Sequence, residues 1–131
     1  MRIPKRLIPC VLALTMAPVL IAARSAAGGA VKTAPDSRVC VNVLYTIRAG
    51  HEAEAVSDLQ TLAVETRKEP GNLLYLAHRS LEDPRKFLIY EQYRSPAALE
   101  AHHAKDYFQR YSVQGLQKIA ESHVVGSYAP L

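Results

Sequence analysis

The chain is 131 residues long and carries 16 Lys and Arg against 12 Asp and Glu, a net charge of +4. That length has room for one domain, and the charge surplus is confined to its start: Arg2, Lys5, Arg6 and Arg24 are the only charged residues in 1–27. The rest is formally neutral, which removes the argument for a nucleic-acid or acidic-membrane partner, and its single cysteine, Cys40, excludes an internal disulfide.

Residues 1–27 read as an export signal. The basic n-region precedes an apolar run from Leu7 to Ala23, and Ser25-Ala26-Ala27 supplies the small residues a signal peptidase cleaves after. An uncleaved anchor is the competing reading, but the run is about 17 residues long and is broken by Pro9 and Pro18, short and irregular for a membrane span. The mature protein is then expected in the periplasm or secreted. Residues 28–37, small and polar, read as a flexible leader, and 38–131 as the folded domain.

Val39, Val41, Val43, Tyr45 and Ile47 alternate with Cys40, Asn42, Leu44 and Thr46 at the period of a strand that is apolar on both faces. Ala49-Gly50 breaks it. Ala53, Val56, Leu59, Leu62, Ala63 and Thr66 follow at helical spacing, with Glu52 and Glu54 placed to suit the helix dipole. Glu69-Pro70-Gly71 ends that helix. Leu73 to Ser80 and Phe87 to Tyr93 are strand-like and are joined by the turn Glu82-Asp83-Pro84-Arg85, which makes a hairpin. Ser95-Pro96 opens a second helix, with a hydroxyl at the N-cap and proline at the first helical position. Helical character continues, with a break near Asp106, to Ile119, and Ser122 to Tyr128 forms a last strand.

The order is β-α-β-β-α-β. With right-handed crossovers it predicts an α+β, ferredoxin-like fold: a four-stranded antiparallel sheet with both helices on one face. The uncovered face is also apolar, which predicts a homodimer through the sheet.

Four strings carry a resemblance: Thr66-Arg67-Lys68-Glu69-Pro70-Gly71, His78-Arg79-Ser80-Leu81-Glu82-Asp83-Pro84, Tyr90-Glu91-Gln92-Tyr93-Arg94-Ser95 and Leu99-Glu100-Ala101-His102. In order and spacing they are similar to the antibiotic biosynthesis monooxygenase domain, and within it to the small quinol monooxygenases. The resemblance implies a dimeric α+β barrel that oxygenates a quinol-like or polyphenolic substrate with dioxygen and uses no metal, flavin or haem. A dry pocket, a base and donors for the oxyanion would suffice for such chemistry. The fold hosts other functions, so a non-catalytic small-molecule-binding dimer and another dimeric-barrel enzyme, an isomerase or a haem-degrading oxygenase, stand as alternatives. The chain departs from its relatives where they often carry Trp, here Tyr93, and a second helix His, here Tyr107; the haem-degrading branch relies on a Trp and a later helix His, and the chain has neither.

His102 is the expected general base, because Leu99 three residues earlier fixes the inward face of its helix. Glu91 is its expected orienting partner. Tyr93 and Ile89 share the face of Glu91 and, with Tyr107 and Tyr111 from the second helix, are the expected substrate contacts. His78, His102 and His123 have no local metal-ligand spacing, so no metal site is expected.

Overall fold

A computed structural model describes residues 37–131; the expected signal over 1–27 and the leader up to residue 36 lie outside the described residues. Strand β1 (Val39–Ile47) leads to helix α1 (Glu52–Thr66), then to the hairpin of β2 (Asn72–Arg79) and β3 (Lys86–Tyr93). Helix α2 (Pro96–His103) follows, then α3 (Asp106–Phe108), a π-wound stretch Gln109–Leu116, α4 (Gln117–Ile119) and β4 (Ala120–Tyr128). The sheet order is β2-β3-β1-β4 with every pair antiparallel. This is the expected ferredoxin-like α+β fold.

Strand alternation decides what the sheet buries. Val41, Val43, Tyr45 and Ile47 of β1 and Phe87, Ile89, Glu91 and Tyr93 of β3 are buried on the helix side. Register pairs Val41 with Glu91 and Val43 with Ile89, so this face is continuous across the central strands. Helix α1 covers it with Ala55, Leu59, Leu62, Ala63 and Thr66. Ala53, expected on that stripe, is exposed, because stepping back one turn from Leu59 lands on Ala55.

The opposite sheet face is not covered by any helix among the described residues. Leu44 is 53% exposed and its β4 neighbour Val124 64%, with Leu76, Leu88 and Tyr128 exposed on the same side. Cys40 lies half-buried on this face and is a free thiol.

The turn after α1 is held from several directions. Arg94 donates its backbone N–H to Gly71 O at 2.9 Å and its guanidinium to Pro70 O at 3.2 Å. Ser95, in an extended conformation, caps α2 by accepting the Ala98 N–H at 3.2 Å. Gly71 touches the first turn of that helix: a Cβ there would stand 2.6 Å from Ala98 Cβ. A side chain at 71 would therefore push the turn off α2. We predict that Gly71→Ala lowers unfolding stability by about 1–3 kcal/mol, the usual cost of overpacking. Ala98→Gly in the same chain should recover part of the loss despite its own helix cost, and urea unfolding of the two single variants and the double variant measures the coupling.

Candidate active site

Two carboxyl groups and an imidazole meet between the sheet and the helices. His102, 1% exposed, stands in the last turn of α2. Its Nδ1 is 3.1 Å from Glu69 Oε1, in the turn after α1, while its Nε2 is 3.9 Å from Glu91 Oε2 on β3. The ring is thus hydrogen-bonded through Glu69, not through Glu91 as the sequence led us to expect. Glu91 lies beyond hydrogen-bond range on the opposite nitrogen. Glu69 had been legible as a helix stop and as part of a family string but not as a partner of His102, since nothing local shows that Gly71 and Arg94 seat its turn against α2.

The expected aromatic contacts separate into distinct roles. Tyr93 donates to Glu91 Oε2 at 2.6 Å, and its ring lies 5.2 Å from that of His102. Tyr107 donates to Glu69 Oε1, and its hydroxyl is 3.2 Å from both Thr66 Oγ1 and His102 Nδ1. Phe108 sets its edge on His102, with centroids 4.8 Å apart. Tyr111 lies under the Arg110 guanidinium. His78 and Arg79 are not among the residues lining this site, and Arg79 donates to Pro84 O at 2.7 Å and ties the hairpin. Among the described residues His78, His102 and His123 do not gather into a metal-binding group.

A cavity of about 100 Å³ reaches this cluster. Its walls include Val41, Val43, Leu59, Ile89 and Leu116, with His102 and Glu91 among the lining groups. Val125 and Ser127 of β4 line it while remaining exposed, so it opens at that edge. Of the four expected substrate contacts only Ile89 reaches the cavity. Tyr93 and Tyr107 stand behind Glu91 and His102 and bond them or their partner, and Tyr111 is not among the lining residues.

Burial sets the titration of both groups. It pushes the Glu91 carboxyl up to about 7, against the lowering pull of the Tyr93 hydrogen bond, and the nearby Glu69 adds to the rise. Burial moves His102 down from its ordinary range, against the raising effect of Glu69. With the Nδ1 hydrogen assigned to Glu69 by this network, a neutral His102 keeps the lone pair of Nε2 available as a proton acceptor. Desolvation shifts buried Tyr93 and half-buried Tyr107 upward, so both hydroxyls remain donors.

A sequence profile for the antibiotic biosynthesis monooxygenase family matches residues 38–114. Among solved structures, a protein from Pseudomonas aeruginosa is 26% identical with a TM-score of 0.69, the match covering 76% of this chain and 99% of that one. A protein from Shewanella oneidensis is 27% identical with a TM-score of 0.67, covering 71% and 90%. A third structure, described as an antibiotic biosynthesis monooxygenase, is 23% identical with a TM-score of 0.67, covering 71% and 98%, and shares the fold. No curated protein matches the sequence.

The Glu91 shift has a consequence for stability. Because burial favours the neutral acid, the folded chain keeps a proton that the unfolded chain releases above its ordinary value of 4.5. This contribution is complete below that value and is lost as pH rises toward about 7. His102 has the opposite sign: its lowered value makes stability fall as pH drops below 6.5. We predict that the stability of the wild type relative to Glu91→Gln declines by about 3 kcal/mol as pH is raised across that window. Denaturant unfolding of both proteins through the pH series measures it.

Proposed function

Since the chain belongs to the antibiotic biosynthesis monooxygenase family, matched over more than half its length, we propose that it oxygenates a quinol-like or polyphenolic aromatic substrate with dioxygen, without a metal or organic cofactor. The observation that carries this reading is the orientation of His102: Nδ1 committed to Glu69, and Nε2 free beside Glu91 at an apolar cavity. A base in such a place takes a proton from a substrate hydroxyl, and the electron-rich anion that results is the species that reduces dioxygen. The apolar walls keep water from competing for that anion. Oxygen uptake by metal-free protein with a panel of quinols, above the substrates' own autoxidation, tests the proposal. Saturable binding without uptake would favour a non-catalytic binding protein of the same fold. On an accepted substrate, His102→Ala is expected to lower turnover by about 10²–10⁴ while the circular dichroism stays native.

The protein is further proposed to work as a homodimer through the open sheet face, since Leu44, Leu76, Leu88, Val124 and Tyr128 leave a contiguous apolar surface in water. Residues 1–27 place it outside the cytoplasm in this reading, with a mature chain beginning near Gly28. Light scattering at micromolar concentration should give the mass of a dimer. The double variant Leu44→Glu with Val124→Glu should give a monomer that keeps native circular dichroism, because dimerisation would bury unpaired carboxylates in that apolar face.

A further inference from the structure

The polar groups of the cavity stand at a telling separation. His102 Nε2 and Glu91 Oε2, 3.9 Å apart, are too distant for a direct hydrogen bond, yet one oxygen placed about 2.8 Å from each would bridge them at close to a right angle. We propose that this gap seats a single acidic hydroxyl of the substrate, a phenol or enol carried on one small ring, with His102 taking its proton and Glu91 holding the oxygen left behind. The inference rests on the reading of His102 as the base.

Hydrogen-bond polarity permits only one arrangement. Nδ1 is engaged with Glu69, so Nε2 accepts, and a neutral hydroxyl has one hydrogen to give it. The hydroxyl oxygen must then accept from Glu91, which requires the neutral acid. Burial supplies that form up to about pH 7. Tyr93 donates to the same carboxyl and does not compete for its proton. After transfer the proton rests on Nε2, the imidazolium lies between the Glu69 carboxyl and the new oxyanion, and the neutral Glu91 hydroxyl hydrogen-bonds that oxyanion. An ionised Glu91 would repel it instead. The groups that bear on Glu91 are Tyr93 on its own strand, Tyr45 of β1, Tyr75 of β2, Glu69 in the turn after α1, and His102 of α2, with His103 lining the same cavity. Among the described residues the wall contains no Lys or Arg, so an anionic headgroup finds no such cation there. The cavity, about 100 Å³, is of the order of the ~150 Å³ apolar cavities that take up benzene, which limits the buried part to one ring.

The probe is 4-nitrophenol, whose ionised form absorbs in the visible and whose neutral form does not. With wild-type protein at about pH 6, where the free probe is mostly neutral, the bound probe should show the phenolate band with saturable binding. His102→Gln should bind it with the neutral spectrum. Glu91→Gln keeps a donor and cannot ionise, so from about pH 6 to 8 it should retain affinity about tenfold better than wild type does. A wild-type complex with the neutral spectrum, the phenolate band persisting in His102→Gln, no saturable binding, or equal pH dependence in wild type and Glu91→Gln would each overturn the proposal. The probe needs no dioxygen. An ionised bound probe without oxygen uptake from any quinol therefore sustains the hydroxyl seat and removes the oxygenase reading, while uptake without the phenolate band does the reverse.

Discussion

The hydrogen bond from His102 Nδ1 to Glu69 Oε1 joins the turn after α1 to the last turn of α2, and the orientation of the site follows from it. It selects which ring nitrogen carries hydrogen, and thereby which one faces Glu91. Both groups are shielded from water, so losing either partner would leave a desolvated polar atom, at a cost of about 1–3 kcal/mol. Tyr107 donates to the same carboxyl, and the Thr66 hydroxyl stands 3.2 Å from the Tyr107 oxygen. The geometry behind that bond is backbone: a glycine at 71 that lets the turn approach Ala98, and an Arg94 that ties the turn to the end of β3. Small features of packing thus set the direction in which a base points.

Glu91 presents the opposite strategy. An acid buried on a sheet face among Val41, Ile89 and Tyr75 would ordinarily require a cation. Arg67 is near in sequence to the helix covering this face, yet its guanidinium is spent on the Tyr75 carbonyl at 2.8 Å. Glu91 receives instead a hydroxyl hydrogen bond from Tyr93, which is not enough to offset its desolvation, and its titration moves into the physiological range. A group kept in this condition reduces stability in its charged form, and such local conflicts concentrate where a fold serves chemistry.

The helical segment after α2 is a second conflict. Residues Gln109–Leu116 are wound as a π-helix, a rare geometry that often marks functional regions. Here it contributes Ser112 and Leu116 to the cavity wall. Gly115 within it comes so close to α1 that a Cβ would stand 2.3 Å from Asp58 Oδ2. Wider winding and a missing side chain together let this segment lie near α1 while one side of it faces the cavity.

The element order, the hairpin, the Ser95 cap and the break near Asp106 were all legible in the sequence, because each depends on periodicity or on turn and cap residues acting over a few positions. The inward placing of His102 was legible for the same reason: Leu99 lies one turn away. Strand alternation likewise put Glu91, Tyr93 and Ile89 on one face. The partnership of His102 with Glu69 was not, since the two are 33 residues apart and meet only once α1, the hairpin and α2 have packed. Nor could pattern alone tell that Tyr107 would turn to Glu69 while Phe108 beside it turned to His102, or that residues 109–116 would leave α-helical winding. Periodicity states which face a side chain occupies; which group waits on the other side of that face is decided by chain segments distant in sequence, and only the tertiary structure brings them together.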